Sequence, residues 1–271
     1  MAKFLTLNTH SWMEEEQETK LNQLAECILQ EKYDVICLQE VNQLMESEQV
    51  VQAPFYKAVE GAIAIHQDHF ALCLVEKLAK AGRDYHWSWA YNHIGFDIYN
   101  EGVAILSRKP IAPREVLVSE VNDPRDYHTR KVLLAETEVE GQLMTIASCH
   151  LSWWDKGFQG EWSKLEEELL KVETPLVLMG DFNNPVDYEG YQHILKSPLK
   201  LQDSHKVAQK ISGRATVEGE IAGWDGNQDA LKIDYIFTSK GIQIESSAVV
   251  FDGKGTPVVS DHFGLEVEAK F

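Results

Sequence analysis

Positive charge is what this sequence has least of. Its 271 residues carry 25 lysines and arginines against 43 aspartates and glutamates, a formal net charge of -18. Such a surface repels phosphodiester backbones unless a local basic groove overrides it, so nucleic acid starts as a disfavoured partner. Cysteine is scarce as well. Cys27, Cys37, Cys73 and Cys149 each sit in an apolar stretch and form no CxxC or CxxH pair. They read as core thiols in a reducing compartment. No uninterrupted apolar run is long enough to span a bilayer, and MAKFLTLNTH has one lysine but no signal-like apolar core. A soluble, cytoplasmic protein with no membrane partner is expected. Repeats, low-complexity tracts and Pro/Gly/Ser linkers are missing too, which favours one domain over 1–271.

What is present is a series of short runs rich in Val, Ile, Leu and Phe, each with polar residues at one end. They read as buried strands at 3–8, 34–40, 102–107, 131–139, 143–150, 175–183, 234–239 and 263–271. Between them, Leu21, Leu24, Ala25, Ile28 and Leu29 repeat at helical spacing. Two further helices are expected at 68–81, with Gly82 as its cap, and at 158–172. A hairpin around Glu140-Gly141 and the mixed element order point to packed mixed sheets flanked by helices, in the α/β class. Glu14-Glu15-Glu16 reads as the solvated start of the first helix.

The stretch LVLMGDFN (176–183) ends a buried strand with Asp181 and Asn183. Alone, it is equally good as a turn signal or as chemistry. The same design recurs: Asn8 ends the first strand, Glu40 the second, His150 sits at a strand end, and Asp261-His262 precede the last strand. Carboxylates and imidazoles at buried strand ends are costly unless paired or bound to something. Asn8, Glu40, Asp181, Asn183 and Asp261 offer hard oxygen ligands, which suit Mg²⁺ or Mn²⁺ far better than Zn²⁺. His150 and His262 remain for phosphate chemistry near neutral pH. Arg130 is a secondary candidate as a phosphate clamp, since an arginine ahead of a strand is more often a surface ion-pair partner. The other histidines, including His10, His66, His69 and His93, lack a ligand spacing and are expected on the surface or in loops.

LQEV, GDFN, KIDYIF and SDH, in this order over nearly the whole chain, resemble the endonuclease/exonuclease/phosphatase superfamily with its DNase I-like fold. The resemblance implies a four-layer α/β sandwich, two mixed sheets face to face with helices outside, and a site where loops of both sheets converge. It implies that Asn8 and Glu40 bind the metal, with Asp261 completing its environment. It implies that His150 contacts the scissile phosphate and that Asn183 holds a phosphate oxygen. It also implies that Asp181 orients or deprotonates water, and that Asp234 hydrogen-bonds His262 and stabilises its charged form. Whether Asp181 or His262 is the general base stays open.

Fold and catalytic set do not name the substrate. The segments HWSWAYNHIGFDIYNEG (86–102) and HLSWWDKGF (150–158) are expected as aromatic loops around the site. Aromatic faces with interspersed Asp, Asn and His suit a sugar ring, so Tyr99, Trp153 and Trp154 are candidate substrate contacts, while Trp87 and Trp89 are equally good as core. Residues 68–108 resemble a branch of the family that acts on sugar phosphates. A small phosphorylated sugar is therefore the expected partner. A nuclease or other phosphodiesterase, sphingomyelinase-like enzymes included, and a catalytically silent binding module are the alternatives.

Overall fold

The computed structural model describes all residues 1–271. In chain order its first strands are β1 (Ala2–Asn8), β2 (Val35–Leu44), β3 (His86–Gly95), β4 (Tyr99–Ser107), β5 (Ile111–Leu117), β6 (Lys131–Val139), β7 (Gln142–His150) and β8 (Leu176–Asp181). There follow β9 (Leu201–Asp203), β10 (Lys210–Ser212), β11 (Val217–Glu218), β12 (Ala230–Leu231), β13 (Asp234–Ser239), β14 (Gln243–Val250) and β15 (Gly264–Lys270). The helices are α1 (Gln17–Glu31), α2 (Phe70–Lys80), α3 (Phe158–Leu169), α4 (Glu189–Leu195) and the single turn α5 (Ser204–Val207).

Side chains alternate across a strand, and here both faces are apolar because both are covered. In β1, Phe4 faces the other sheet while Leu5 and Leu7 face α1 and α2. In β6, Leu133 and Ala135 face inward while Val132 and Leu134 face α3. Three apolar layers result: helices on sheet, sheet on sheet, sheet on helices. This is the four-layer α/β sandwich. One sheet has seven strands in the order β10-β14-β15-β1-β2-β4-β3, the other six in the order β5-β6-β7-β8-β13-β9. Both are mixed: β1 with β2 and β7 with β8 run parallel, while most other neighbours are antiparallel.

The expected strands and helices are all present, with ends shifted by a few residues. The segment 86–102 is different: it is not a loop but β3 and the start of β4, paired antiparallel. Its alternation is masked because Trp87 and Trp89 fill core positions in an aromatic cluster with His69, whose ring lies 5.1 and 4.7 Å from theirs. Burial keeps His69 neutral, pushing its pKa down to about 3. His66 and His93 are buried as well, so three histidines expected at the surface or in loops are interior. Among the thiols, Cys37 and Cys149 are core residues and Cys27 and Cys73 are half-buried.

Candidate active site

Register within one sheet brings three of the expected residues together. His150 pairs with Asp181 across β7 and β8, and Asp181 pairs with Asp234 across β8 and β13. From the facing sheet, β1 supplies Asn8 and β2 supplies Glu40. Gly180 permits the close approach of β8 to β7: at φ 148, a Cβ there would lie 1.9 Å from the Cys149 carbonyl oxygen. Glu40 sits in a bulge, where the β2–β4 register skips between Leu38 and Val41. Its φ of 49 is a left-handed value rare for glutamate, while the φ of 51 at Asn183 is one that asparagine tolerates. A bulge re-aims a side chain, and strain held at Glu40 fits a preorganised site. The Glu40 carbonyl accepts from the Ser11 hydroxyl at 2.6 Å and the Thr9 hydroxyl at 3.0 Å, which fixes the distortion.

Asp181 is the hub. Its Oδ1 accepts the Asn183 N–H at 2.8 Å, and its Oδ2 lies 3.3 Å from Asn8 Nδ2, 3.7 Å from His150 Nε2 and 3.9 Å from His262 Nε2. Asn8 Nδ2 also donates to Glu40 at 2.8 Å. Burial, then the neighbouring Asp234 carboxylate, pushes the Asp181 pKa up to about 7. Burial, with Glu101 and Asp261, does the same to Glu40, also to about 7.

The two histidines differ in charge. His262 Nδ1 donates to Asp234 Oδ2 at 3.0 Å. Burial opposes its charge, but Asp234, followed by Asp181 and Asp261, outweighs burial and raises its pKa to about 10. His150 is held neutral by burial and by the Arg130 guanidinium, far below the usual histidine range. Arg130 Nη1 lies 3.3 Å from His150 Nδ1. Arginine can only donate, so Nδ1 is the acceptor and the proton sits on Nε2, facing Glu40 and Asp181.

Arg130 itself is 4% exposed and its Nε has no partner. It is no surface ion-pair residue: its guanidinium lines a cavity of about 270 Å³ together with Glu40, His150, Asp181, Asn183 and Trp153. His93, Glu101, Phe96 and Tyr127 line the same cavity. His93, Phe96 and Glu101 belong to the segment 86–102 expected around the site, though none was singled out as a contact, and Tyr127 was not expected there. A pattern signal existed only for Glu101, a carboxylate in an otherwise apolar strand.

Other placements correct the sequence reading. Asp261 lies near enough to Glu40 to help raise that carboxyl's pKa, but its contacts are with His10 and Glu14. Its Oδ2 lies 3.6 Å from His10 Nδ1 and its backbone N–H donates to Glu14 at 3.0 Å. Glu14 is thus no solvated helix start: burial is outweighed by His10 and Lys20, which lower its pKa to about 2. His10, countering its burial through Glu14, Glu40 and Asp261, is raised to about 8. Trp153 reaches the cavity, but Trp154 packs on Phe158 and His193, with ring centroids 6.1 and 5.7 Å apart. Tyr99 is 8% exposed, pairs with Gly95 and Leu44 inside the sheet, and does not line the cavity. Sequence reasoning also missed Trp224, whose indole N–H donates to Asn183 Oδ1 at 2.9 Å. A tryptophan between two glycines, Gly223-Trp224-Asp225-Gly226, was the available signal.

The donor set fits a hard divalent cation. Glu40, Asp181 and Asp234 gather with Glu101 and the half-buried Asp261 nearby, Asp234 Oδ1 has no partner, and burial among these like charges pushes the Glu40 and Asp181 carboxyls up. All candidate donors are oxygens or imidazoles, with no thiol. Two groups, His10-Glu14-Asp261 and Asp181-Asp234-His262, have ligand atoms within 4.8 Å of one another.

Comparison with known proteins agrees with this geometry. Residues 14–262 match the model of the Endonuclease/Exonuclease/phosphatase family. A solved family protein from Leptotrichia buccalis C-1013-b is 34% identical over 100% of both chains, with a TM-score of 0.86. The chain therefore belongs to the endonuclease/exonuclease/phosphatase family, a superfamily of metal-dependent phosphoesterases and nucleases. Two further structures share the fold at lower identity. The human Nocturnin catalytic domain with bound sulfate anion is 18% identical, with a TM-score of 0.68 over 100% of this chain and 94% of that one. The Bacteroides thetaiotaomicron VPI-5482 mannosyl-6-phosphatase Bt3783 is 16% identical, with a TM-score of 0.65 over 100% of each chain. No curated protein matches the sequence. No helix is long and apolar enough to cross a membrane.

Proposed function

We propose that this protein is a Mg²⁺- or Mn²⁺-dependent phosphomonoesterase that acts on a phosphorylated sugar, with maltose 6'-phosphate, hydrolysed to maltose and inorganic phosphate, as the leading substrate. The observation that carries this reading is the mixed lining of the cavity. Arg130, His150 and Asp181, suited to a phosphoryl group, line the same small cavity as the aromatic side chains of Trp153, Phe96 and Tyr127. Ligand pockets commonly span about 300–1,000 Å³, so about 270 Å³ suits a small ester better than a polymer. The net charge of -18 disfavours a long polyanion in the same way. A relative of this fold named a mannosyl-6-phosphatase is further support for a sugar phosphate.

The roles follow from charge state. Glu40, with Asn8 and the nearby Asp261, would hold the cation, which supplies neutralisation of charge on the phosphoryl oxygens. Arg130 and the Nε2–H of neutral His150 donate to those oxygens. His262, held charged by Asp234, is an electrostatic partner rather than a base. Asp181 is then the base: its carboxyl lies near the operating pH and takes a proton from the attacking water. The Asn183 side-chain oxygen is occupied by Trp224, and its amide nitrogen donates to the Leu151 carbonyl at 2.9 Å. Asn183 therefore acts here by holding Asp181 through its backbone N–H. The test is phosphate release from a panel of sugar phosphates, nucleotides and phospholipid head groups with Mg²⁺. Release from maltose 6'-phosphate or a related sugar ester supports the proposal. Plasmid nicking that disappears in His262→Ala, without sugar-phosphate turnover, would replace it with a phosphodiesterase.

A further inference from the structure

The catalytic cavity is not the roomiest in the molecule. A second cavity of about 920 Å³, sharing no lining residue with the first, is built from α5, the segment before β11, the end of β12 and the 252–254 turn. Lys232, the lysine of KIDYIF, lies at its wall and is 7% exposed. Its ammonium makes no hydrogen bond. The nearest carboxylate oxygen, Asp203 Oδ2, is 3.5 Å away and already accepts the Tyr191 hydroxyl at 3.0 Å. The Tyr235 ring centroid lies 3.7 Å from the same Nζ. With a carboxylate at ion-pair distance and a ring face as its partners, this buried ammonium still has N–H groups that make no hydrogen bond, and an acceptor entering the cavity would satisfy them.

The surroundings select the ligand. Lys206 and Arg214 line the rim, exposed and outside any ion pair, while Lys254 is paired with Asp252 at 3.5 Å. Three carboxylates also line the cavity: Asp203 is engaged with Lys232, Asp252 with Lys254, and Glu218 is free. Positive charge therefore prevails locally in a chain of net charge -18. Apolar side chains, Ile211, Val249 and Phe263 among them, share the wall with these charges. We propose that this cavity is a second binding site, for a small organic anion with an apolar body, whose charged group meets Lys232, Lys206 and Arg214. The site is independent of the catalytic reading. It adjoins it in sequence, since Lys232 lies two residues before Asp234 and Phe263 follows His262.

The probe is anilinonaphthalene sulfonate, an apolar body with one fixed negative charge, titrated into purified full-length protein and followed by fluorescence. Wild type should bind it saturably at one equivalent. The double variant Lys206→Ala/Arg214→Ala should bind roughly tenfold more weakly, as expected when charge-assisted contacts are lost. Lys232→Met should bind more weakly still, and Trp153→Ala, altered only in the catalytic cavity, should bind as wild type does. Lys206 and Arg214 are exposed, so if Lys232→Met does not fold, the double variant decides alone. Absence of saturable binding overturns the proposal. So does equal affinity in wild type and the double variant, or a loss confined to Trp153→Ala.

Discussion

Replacing Asp181 by asparagine separates chemistry from architecture, because the two roles predict opposite effects on stability. The Asp181 carboxyl is raised from 3.8 to about 7 by burial and by Asp234. A carboxyl whose pKa is raised by folding works against the fold once ionised. That penalty is absent below about pH 3.8 and complete above about pH 7, where about 3 units correspond to at most about 4 kcal/mol in metal-free protein. Asparagine removes the charge but can satisfy only part of the hub. Asn183 N–H, Asn8 Nδ2 and His150 Nε2 all direct donors at Asp181, and an amide nitrogen turned toward any of them opposes donor to donor. That mismatch costs about 1–2 kcal/mol. The net is a gain of about 2 kcal/mol at pH 8 without metal, or about 4–8 °C in Tm for a chain of this size. Turnover should fall about 100- to 10,000-fold, the usual worth of a positioned general base. Calorimetry and phosphate release on the same samples measure both. A variant less stable than wild type at pH 8, or one retaining more than about a tenth of the turnover, would refute the reasoning.

Asp234→Asn removes the group that keeps His262 charged. The charged histidine stabilises the fold fully below about 6.5 and loses that contribution as pH rises through about 10. In the variant, the alkaline limb of the pH–rate profile should move down by more than about one unit, and an unmoved limb would free His262 from this role. Trp153→Ala should raise KM for a sugar phosphate more than for an aryl phosphate, whereas Trp154→Ala should change neither, because its ring packs on Phe158 and His193. Equal effects of Trp153→Ala on both esters would remove that residue from sugar recognition. Gly180→Ala should destabilise by about 3 kcal/mol or more, as its Cβ would meet the Cys149 carbonyl at 1.9 Å; a normal melting curve would contradict that.

Strand ends were the most legible part of the sequence. Asn8, Glu40, His150, Asp181, Asp234 and His262 converge because polar groups at the ends of apolar runs emerge at one end of a sandwich, whatever the exact register. The aromatic segment 86–102 was misread for a physical reason: it forms β3 and the start of β4, buried on both faces, where Trp, His and Asn find their partners in other segments and periodicity disappears. Trp87 donates to the Pro54 carbonyl at 2.9 Å and Trp89 to the Val41 carbonyl at 3.2 Å, contacts between segments far apart in sequence. Glu14 and His10 were misplaced similarly, since the partner that draws them in, Asp261, lies at the other end of the chain. Adjacent tryptophans 153 and 154 diverge into different environments, which no pattern could reveal. The bulge at Glu40 and the left-handed turn at Asn183 are likewise tertiary devices, visible only once the two sheets meet.

The central claim is that the cluster around Asp181 hydrolyses a phosphomonoester of a sugar with a divalent cation. The most direct measurement is inorganic phosphate released from maltose 6'-phosphate by wild type and Asp181→Asn, with Mg²⁺ and with excess chelator. Release by wild type that needs the cation and falls at least about 100-fold in the variant is the predicted result. Release that persists in chelator or in Asp181→Asn, or no release by the folded, metal-supplied wild type, would contradict it.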